Sequence, residues 1–143
     1  MRIVTSAAAG RPVYYDRNPA IRWALYNVDT VAPHVDTTRA AYTVPAGKKA
    51  YAEATFAQVI RAAAAAAAAR AYAAIRYTPS GGTIAQFVRV LISTNGVGDK
   101  DSMQGGSFSF LATGDLVELA TGDGSTGGTV DYRLTFKATE FDL

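Results

Sequence analysis

Hydrophobic and polar positions alternate in the last part of the chain with the two-residue period of a β-strand. The segment TVDYRLTFKATEF, residues 129–141, places its regularly spaced apolar residues on one side. These residues are Val130, Tyr132, Leu134, Phe136 and Ala138. Because successive side chains of a strand point to opposite faces of a sheet, the segment predicts a final strand with one buried face and one wet face.

Shorter β-prone segments, separated by turns, precede this strand. IAQFVRVLIS, residues 84–93, is typical of a strand buried on more than one side, and SFSFLA and LVELA predict two more strands. The turns and loops that we predict are YTPSGGT (77–83), the polar segment 94–106, TGD and the segment 121–128. Short strands with turns every ten or so residues predict an all-β sandwich or barrel.

A run of alanines, Ala62–Ala69, stands between Arg61 and Arg70 and interrupts the β pattern. Alanine has the highest helix propensity. However, a helix over residues 50–75 would be about 39 Å long, and it would lack a capping residue at its start and a glycine at its end. We therefore predict two strands, 49–62 and 70–78, with alanines at the strand ends and in the connection. A short helix within the run stays open as an alternative.

Residues 1–40 differ from the rest of the chain because aromatic and arginine residues are interleaved there. One interpretation is an extended arm that contacts a neighbouring protein, since these residue types dominate buried protein contacts. The candidate contact residues of the arm are Tyr14, Tyr15, Arg17, Arg22 and Trp23. In the other interpretation, Trp23 and Leu25 belong to a first core strand, AIRWALYNV.

Composition and charge narrow the class of protein. The chain has 143 residues, of which 49% are hydrophobic and 18% charged, as expected for one globular domain. A net charge of +2 and scattered arginines do not predict a nucleic-acid partner. Apolar runs fall short of the roughly 20 residues that span a bilayer, and the first residues lack the apolar core of a signal peptide. We therefore expect no membrane partner and synthesis in the cytoplasm.

The residues that carry chemistry do not form a recognisable catalytic or metal site. The chain contains no cysteine and one histidine, His34, which lies between Pro33 and Val35 and is expected at the surface. Neither a GxSxG motif nor a phosphate-binding P-loop occurs. The loop carboxylates Asp99, Asp101, Asp115 and Asp123 do not form the D-x-D-x-D series of a calcium loop. We predict no catalytic residue, no metal, no cofactor and no enzyme activity.

Two segments resemble parts of small jelly-roll domains. YTVPAGKKAYAEA is similar to their Val-Pro-x-Gly strand start, and FLATGDLVELATGDGSTGG followed by YRLTF is similar to their closing hairpin and final strand. Domains of the complement-C1q and tumour-necrosis-factor kind carry this pattern, as do small virion proteins of tailed bacteriophages. The resemblance implies that Gly114 and Asp115 make the turn. It also implies that the sandwich is filled by Leu111, Val117, Leu119, Tyr132, Leu134 and Phe136.

The resemblance implies a jelly-roll β-sandwich over residues 41–143, preceded by an N-terminal arm and first strand or strands over 1–40. It further implies a homotrimer on the outer surface of a phage head. There the protein would act as a capsid decoration (cement) protein that bridges subunits of the major capsid protein.

Two rival functions stay open at this point. The first is a tail, baseplate or fibre module that binds a host glycan or another tail protein, with candidate residues Tyr42, Asp99, Asp101 and Asp123. The second, a cupin-type enzyme, is disfavoured because such metal sites need two or three histidines and the chain has only His34.

Overall fold

The structure, a computed structural model, describes residues 3–5, 13–15, 20–67, 70–94 and 96–143. Its strands are β1 (Ile3–Thr5), β2 (Val13–Tyr15), β3 (Ala20–Val31), β4 (His34–Thr43), β5 (Lys48–Ala63), β6 (Ala71–Thr78), β7 (Ala85–Ile92), β8 (Lys100–Leu111), β9 (Leu116–Asp123) and β10 (Thr129–Asp142). The described part of the chain contains no α-helix, and therefore no helix long and apolar enough to cross a membrane.

Eight strands form two antiparallel four-stranded sheets, with the orders β3-β10-β5-β8 and β4-β9-β6-β7. Strands that follow one another in the chain repeatedly change sheet, as in a jelly roll made of two Greek keys. The predicted all-β jelly-roll sandwich is confirmed. Strands β1 and β2 form a separate two-stranded antiparallel sheet.

The core lies between the two sheets and is built from alternate residues of each strand. In β10 the even-numbered residues from Val130 to Glu140 are buried and the residues between them are only partly buried, which is the alternation that the sequence predicts. The residues that the resemblance assigns to the interior are all at most 1% exposed: Leu111, Val117, Leu119, Tyr132, Leu134 and Phe136.

The alanine run divides between strand and loop, so the two predicted strands are confirmed. Strand β5 ends at Ala63 and β6 begins at Ala71, while Ala67 forms an isolated bridge with Thr126. Residues 68 and 69 lie outside the described residues. A Cβ atom on Gly128 would lie 2.6 Å from the carbonyl oxygen of Ala63. This connection therefore packs too tightly against the β9–β10 loop for any side chain at position 128.

Two predicted loops are too long. The segment 94–106 is wrong as a loop from Lys100 onward, because β8 begins there and pairs with β5 as a polar edge strand. The segment 121–128 is wrong over its first three residues, because β9 continues to Asp123. Those three residues pair with β6, and Thr121 and Asp123 are buried with their polar atoms hydrogen-bonded.

The sandwich includes most of residues 20–40, which the sequence analysis grouped with the arm. Strand β3 pairs with β10, and β4 runs through the predicted boundary at residue 40 to Thr43 while pairing with β9. The jelly roll thus extends towards the N-terminus as far as Ala20. That the residues before it act as an extended arm stays a prediction.

Candidate contact surface

The outer face of the β3-β10-β5-β8 sheet carries exposed apolar side chains at β3. Ala24 lies opposite the buried residue Phe136 of β10 and is itself buried, so the odd-numbered neighbours of Ala24 belong to the outer face. Ile21, Trp23 and Leu25 are 52%, 56% and 54% exposed. They follow one another at every second position of one strand and therefore form a continuous stripe.

The sheet register extends this stripe across all four strands. One row runs from Ile21 through Thr139 and Tyr51 to Phe110, which is 64% exposed and whose ring centroid lies 5.2 Å from that of Tyr51. Another row brings Phe56 of β5 level with Leu25. We call the following set the outer apolar face: Ile21, Trp23, Leu25, Tyr51, Phe56 and Phe110.

Two charged side chains lie at the centre of the outer apolar face but do not cover its apolar side chains. The Nζ atom of Lys137 is 5.8 Å from the centroid of the Trp23 ring and 3.9 Å from Oε2 of Glu53. Both ionic side chains are partly exposed, and such pairs contribute about 0–1 kcal/mol. This weak pair leaves more than half of Trp23 in contact with solvent.

The outer face of the β4-β9-β6-β7 sheet carries charged side chains that make hydrogen bonds within the same face. Asp36 accepts hydrogen bonds from Arg76 at 2.8 Å and 2.5 Å and from the Tyr72 hydroxyl, and the guanidinium of Arg89 lies 4.9 Å from the Tyr72 ring centroid. The hydrogen bonds from Arg76 are the main reason that the pKa of Asp36 is lowered to about 2. A Cβ atom on Gly122 would lie 2.6 Å from the Tyr72 ring, so this ring packs directly on the glycine.

A buried ionic cluster, which the sequence analysis missed, lies at one end of the sandwich. Nη1 of Arg61 donates to Asp123 at 3.2 Å, and Nη2 donates to the Ser125 hydroxyl at 2.9 Å. The side chains of Arg61 and Asp123 are both 0% exposed. The cluster joins β5 to the end of β9 and has no access to solvent, so its role is structural.

Asp115 holds two turns together at the other end. Its carboxylate accepts hydrogen bonds from the backbone amides of Ser80 (2.8 Å) and Ala112 (2.9 Å) and from the Tyr77 hydroxyl (2.9 Å). Burial alone would raise the pKa of Asp115, but these hydrogen bonds outweigh it and the pKa is lowered. Gly114 has a φ angle of +87°, which permits the tight turn.

His34 begins β4 and is held by hydrogen bonds. Nδ1 donates to the Ala32 carbonyl oxygen at 2.8 Å, and Nε2 lies 2.8 Å from the Thr121 hydroxyl oxygen. The same hydroxyl oxygen accepts a hydrogen bond from Nε of Arg39 at 3.0 Å. In the described residues no three His, Asp or Glu side chains form a group that could hold a metal ion.

The structure separates the predicted contact residues of the N-terminal segment. Trp23 lies on the outer apolar face, whereas Nε of Arg22 donates to Oε1 of the buried residue Glu140 at 3.0 Å. Tyr14 and Tyr15 belong to β2, where only their backbone is described, and Arg17 lies outside the described residues. Trp23 and Leu25 are part of a sandwich strand, but the expectation that they lie in its core is wrong because they face outward.

The candidate glycan-binding residues are all engaged within the chain. The Tyr42 hydroxyl donates to Glu140 at 2.9 Å, and Asp123 is buried against Arg61. Asp99 and Asp101 each accept a backbone hydrogen bond at 3.0 Å, from Gly96 and Leu91 respectively. A pocket of about 420 Å³ lies elsewhere, lined by Lys49, Phe110, Leu111, Ala112, Thr113 and Leu143.

Comparison with known proteins adds no family assignment. No protein-family model and no curated protein matches the chain. Among solved structures, the chain is similar to dimeric latent PorU from Porphyromonas gingivalis (12% identity, TM-score 0.48), of which it spans 13%, with 87% of its own length covered. The chain is also similar to Eiger TNF from S. frugiperda, at 12% identity and a TM-score of 0.47. This match covers 89% of this chain and 96% of that one.

The chain is also similar to a protein of infectious bursal disease virus, Gt strain, at 11% identity and a TM-score of 0.38. This match covers 99% of the chain and 38% of the viral protein. The strand order of the chain itself defines its class, which is a jelly-roll β-sandwich.

Proposed function

We propose that the protein is a non-enzymatic structural subunit of a virus particle and works by association through its outer apolar face. The observation that carries this proposal is the stripe of Ile21, Trp23 and Leu25, each more than half exposed on one strand. Contiguous apolar surface of this kind marks protein contact sites, because leaving it in water costs free energy that a partner removes.

In its finer form, the proposal is a homotrimeric decoration protein on the outer surface of a phage head. Each trimer bridges neighbouring subunits of the major capsid protein, so that expansion of the shell would have to separate buried contact area. The sequence resemblance to phage virion jelly rolls supports this form. A closed ring about a three-fold axis also lets every subunit cover the apolar face of its neighbour.

The rival glycan-binding function has no comparable support. Its four candidate residues contact other groups of the same chain, and Asp123 is only 3% exposed.

Replacing Trp23 by serine tests the proposal, and Val35→Ser is the matched control. Val35 is 83% exposed but lies on β4 in the other sheet. By light scattering at micromolar concentration we expect the unmodified protein and the V35S variant to have three times the 15.0 kDa chain mass and the W23S variant to have a lower mass. Truncation of a central aromatic contact weakens association by about 2 kcal/mol or more, a factor of roughly 30.

The same three proteins are then mixed with expanded capsids of the virus that encodes the chain and sedimented. We expect the unmodified protein and V35S to bind and W23S to bind more weakly. A monomeric unmodified protein together with equal binding of all three proteins would contradict the proposal.

A further inference from the structure

Strand β3 is a long edge strand of the sandwich with few features that block further pairing. It is 12 residues long, and its pairing with β10 is regular from Ala20 to Val28. Its span contains neither lysine nor proline, which proteins use to block unwanted pairing at sheet edges. In the described part of the chain no strand pairs with the other side of β3, which can therefore accept another strand next to the exposed stripe on its outer face.

The other three edge strands carry protective features. The pairing of β4 with β9 is interrupted by two register shifts. The pairing of β7 with β6 has a shift, and the amide of Leu91 on β7 donates to the carboxylate of Asp101. Strand β8 begins with Lys100 and Asp101, has a register shift against β5 and contains Gly105 and Gly106. Bulges, charges and glycines all disfavour further pairing. Strand β3 itself has a register shift beyond Val28 and carries Arg22 and Asp29, but it contains no glycine and its first nine residues, Ala20 to Val28, pair without interruption.

The chain also contains a strand pair without a sheet to join. Strands β1 and β2 are three residues each, rich in β-branched and aromatic residues, and they pair with each other. Among the described residues they contact no other strand. An isolated two-stranded hairpin is at best marginally stable in water. The β1–β2 pair therefore needs a surface that extends it.

We propose that the β1–β2 hairpin of one subunit adds to the free edge of β3 in a second copy of the chain. The strand addition supplies backbone hydrogen bonds and places the hairpin backbone next to the stripe of Ile21, Trp23 and Leu25. This inference rests on the self-association proposed above and names the segments that make it. In a ring of three, each subunit donates one hairpin and accepts one, so every β3 strand is paired on both sides.

Exposure favours a second copy as the acceptor. Four residues, 16–19, separate β2 from β3, a connection long enough for a hairpin within one chain. The single chain nevertheless pairs β2 with β1, and its Trp23 remains 56% exposed. Among the described residues neither β1 nor β2 contacts β3, so the chain's own hairpin does not occupy this edge.

The size of the exposed surface also favours contact with a second copy of the chain. A buried aromatic side chain covers about 150–250 Å² and an aliphatic one somewhat less, so Ile21, Trp23, Leu25 and Phe110, which are 52% to 64% exposed, offer roughly 300–500 Å² in total. Stable specific interfaces bury about 800 Å² on each partner. The outer apolar face supplies roughly half of this, and the hairpin supplies additional contact area.

Cross-linking between single-cysteine variants tests the proposal cleanly, because the chain has no cysteine of its own. Thr5→Cys marks the hairpin, and Asn27→Cys marks the outer side of β3 while leaving every apolar residue in place. Ser102→Cys is the matched control, because the register puts Ser102 in the same row as Asn27 but on β8, three strands away. Variants are mixed in pairs and treated with a short bismaleimide.

We expect a two-chain product from T5C mixed with N27C, and none from T5C mixed with S102C or from either variant alone. The T5C/N27C double variant should give products of two and three chains. A double variant whose two thiols are bridged within one chain would overturn the proposal. So would two-chain products from N27C alone, which indicate that β3 pairs with β3, or the absence of any product from the T5C and N27C mixture.

Light scattering on the same samples distinguishes a failure of the hairpin contact from a failure of the proposed self-association. If the protein is trimeric but the mixture of T5C and N27C gives no two-chain product, the hairpin contact is wrong and the self-association stands. If the protein is monomeric, both are wrong.

Discussion

The outer faces of the two sheets differ in how far their side chains are covered by the rest of the chain. On the β4-β9-β6-β7 sheet, Asp36, Tyr72 and Arg76 hydrogen-bond to one another, and Ala74 and Ala120 on that face are fully buried. On the β3-β10-β5-β8 sheet, Trp23 and its neighbours stay more than half exposed. The first face is completed by its own side chains, whereas the second is left uncovered by the described residues, and under the proposed function a partner covers it. Substitutions on the first face should therefore cost folding stability, and substitutions on the second should cost association.

The largest loss of stability is expected from Gly122→Val on the charged face. The Tyr72 ring lies where the new Cβ would be, so the side chain displaces the ring and the hydrogen bonds that the ring makes. We expect the free energy of unfolding in urea to fall by about 1–3 kcal/mol. In a Tyr72→Ala background the same substitution should cost less, because the obstructing ring is gone. Equal costs in both backgrounds would contradict this packing argument.

A smaller loss is expected from Asp36→Asn, and it should depend on pH. The pKa of Asp36 in the folded protein is about 2, below its ordinary value of 3.8. The ionised carboxylate therefore stabilises the fold fully above about pH 4, and this stabilisation is lost as the pH falls towards 2. After discounting for solvent screening of a half-exposed group, we expect the D36N variant to be less stable by about 1 kcal/mol at pH 7.

Urea titrations of the unmodified protein and D36N at several pH values check this expectation. Their difference should shrink as the pH falls below 4. Glu53→Gln on the apolar face is the control, because its carboxylate lies 3.9 Å from Lys137 and should contribute less than about 0.5 kcal/mol. A difference between the unmodified protein and D36N that is the same at pH 3 and pH 7 would refute the role given to Asp36.

The smallest effect on stability is expected from Leu25→Thr on the outer apolar face. Leu25 is 54% exposed, and threonine is well suited to a strand. In dilute solution we expect the free energy of unfolding to change by no more than about 0.5 kcal/mol, while the association constant from sedimentation decreases. A large destabilisation without any change in association would instead indicate that Leu25 packs in the core, which is the other interpretation of its sequence.

Much of the sandwich can be predicted from the sequence because its period is local information. The alternation of β10 follows directly from the positions of Tyr132, Leu134 and Phe136, and the missing helix caps around the alanine run correctly favour two strands. Strand β8 is harder to predict, because Ser102, Gln104 and two glycines are typical of a loop. Its hydrogen bonds to β5 override that local preference.

The candidate surface is less accessible to sequence reasoning. In β3 the stripe with the larger apolar side chains would ordinarily be placed inward, yet the register with β10 turns Ala24 inward and Trp23 outward. A shift of one residue exchanges the two faces of a strand, and that register is set by the partner strand. Likewise, Arg61 and Asp123 are 62 residues apart, so no local sequence pattern predicts their buried contact.

The pairing of β3 with β10 has a consequence for synthesis. The first strand of the jelly roll finds its only neighbour within its sheet in the last 15 residues of the chain. While the ribosome is still translating, β3 has no template on which to fold, and long-range pairing of this kind is intrinsically slow. Only a polypeptide that includes β10 can hold Trp23 in this setting, so under the proposed function we expect chains that end before β10 not to assemble.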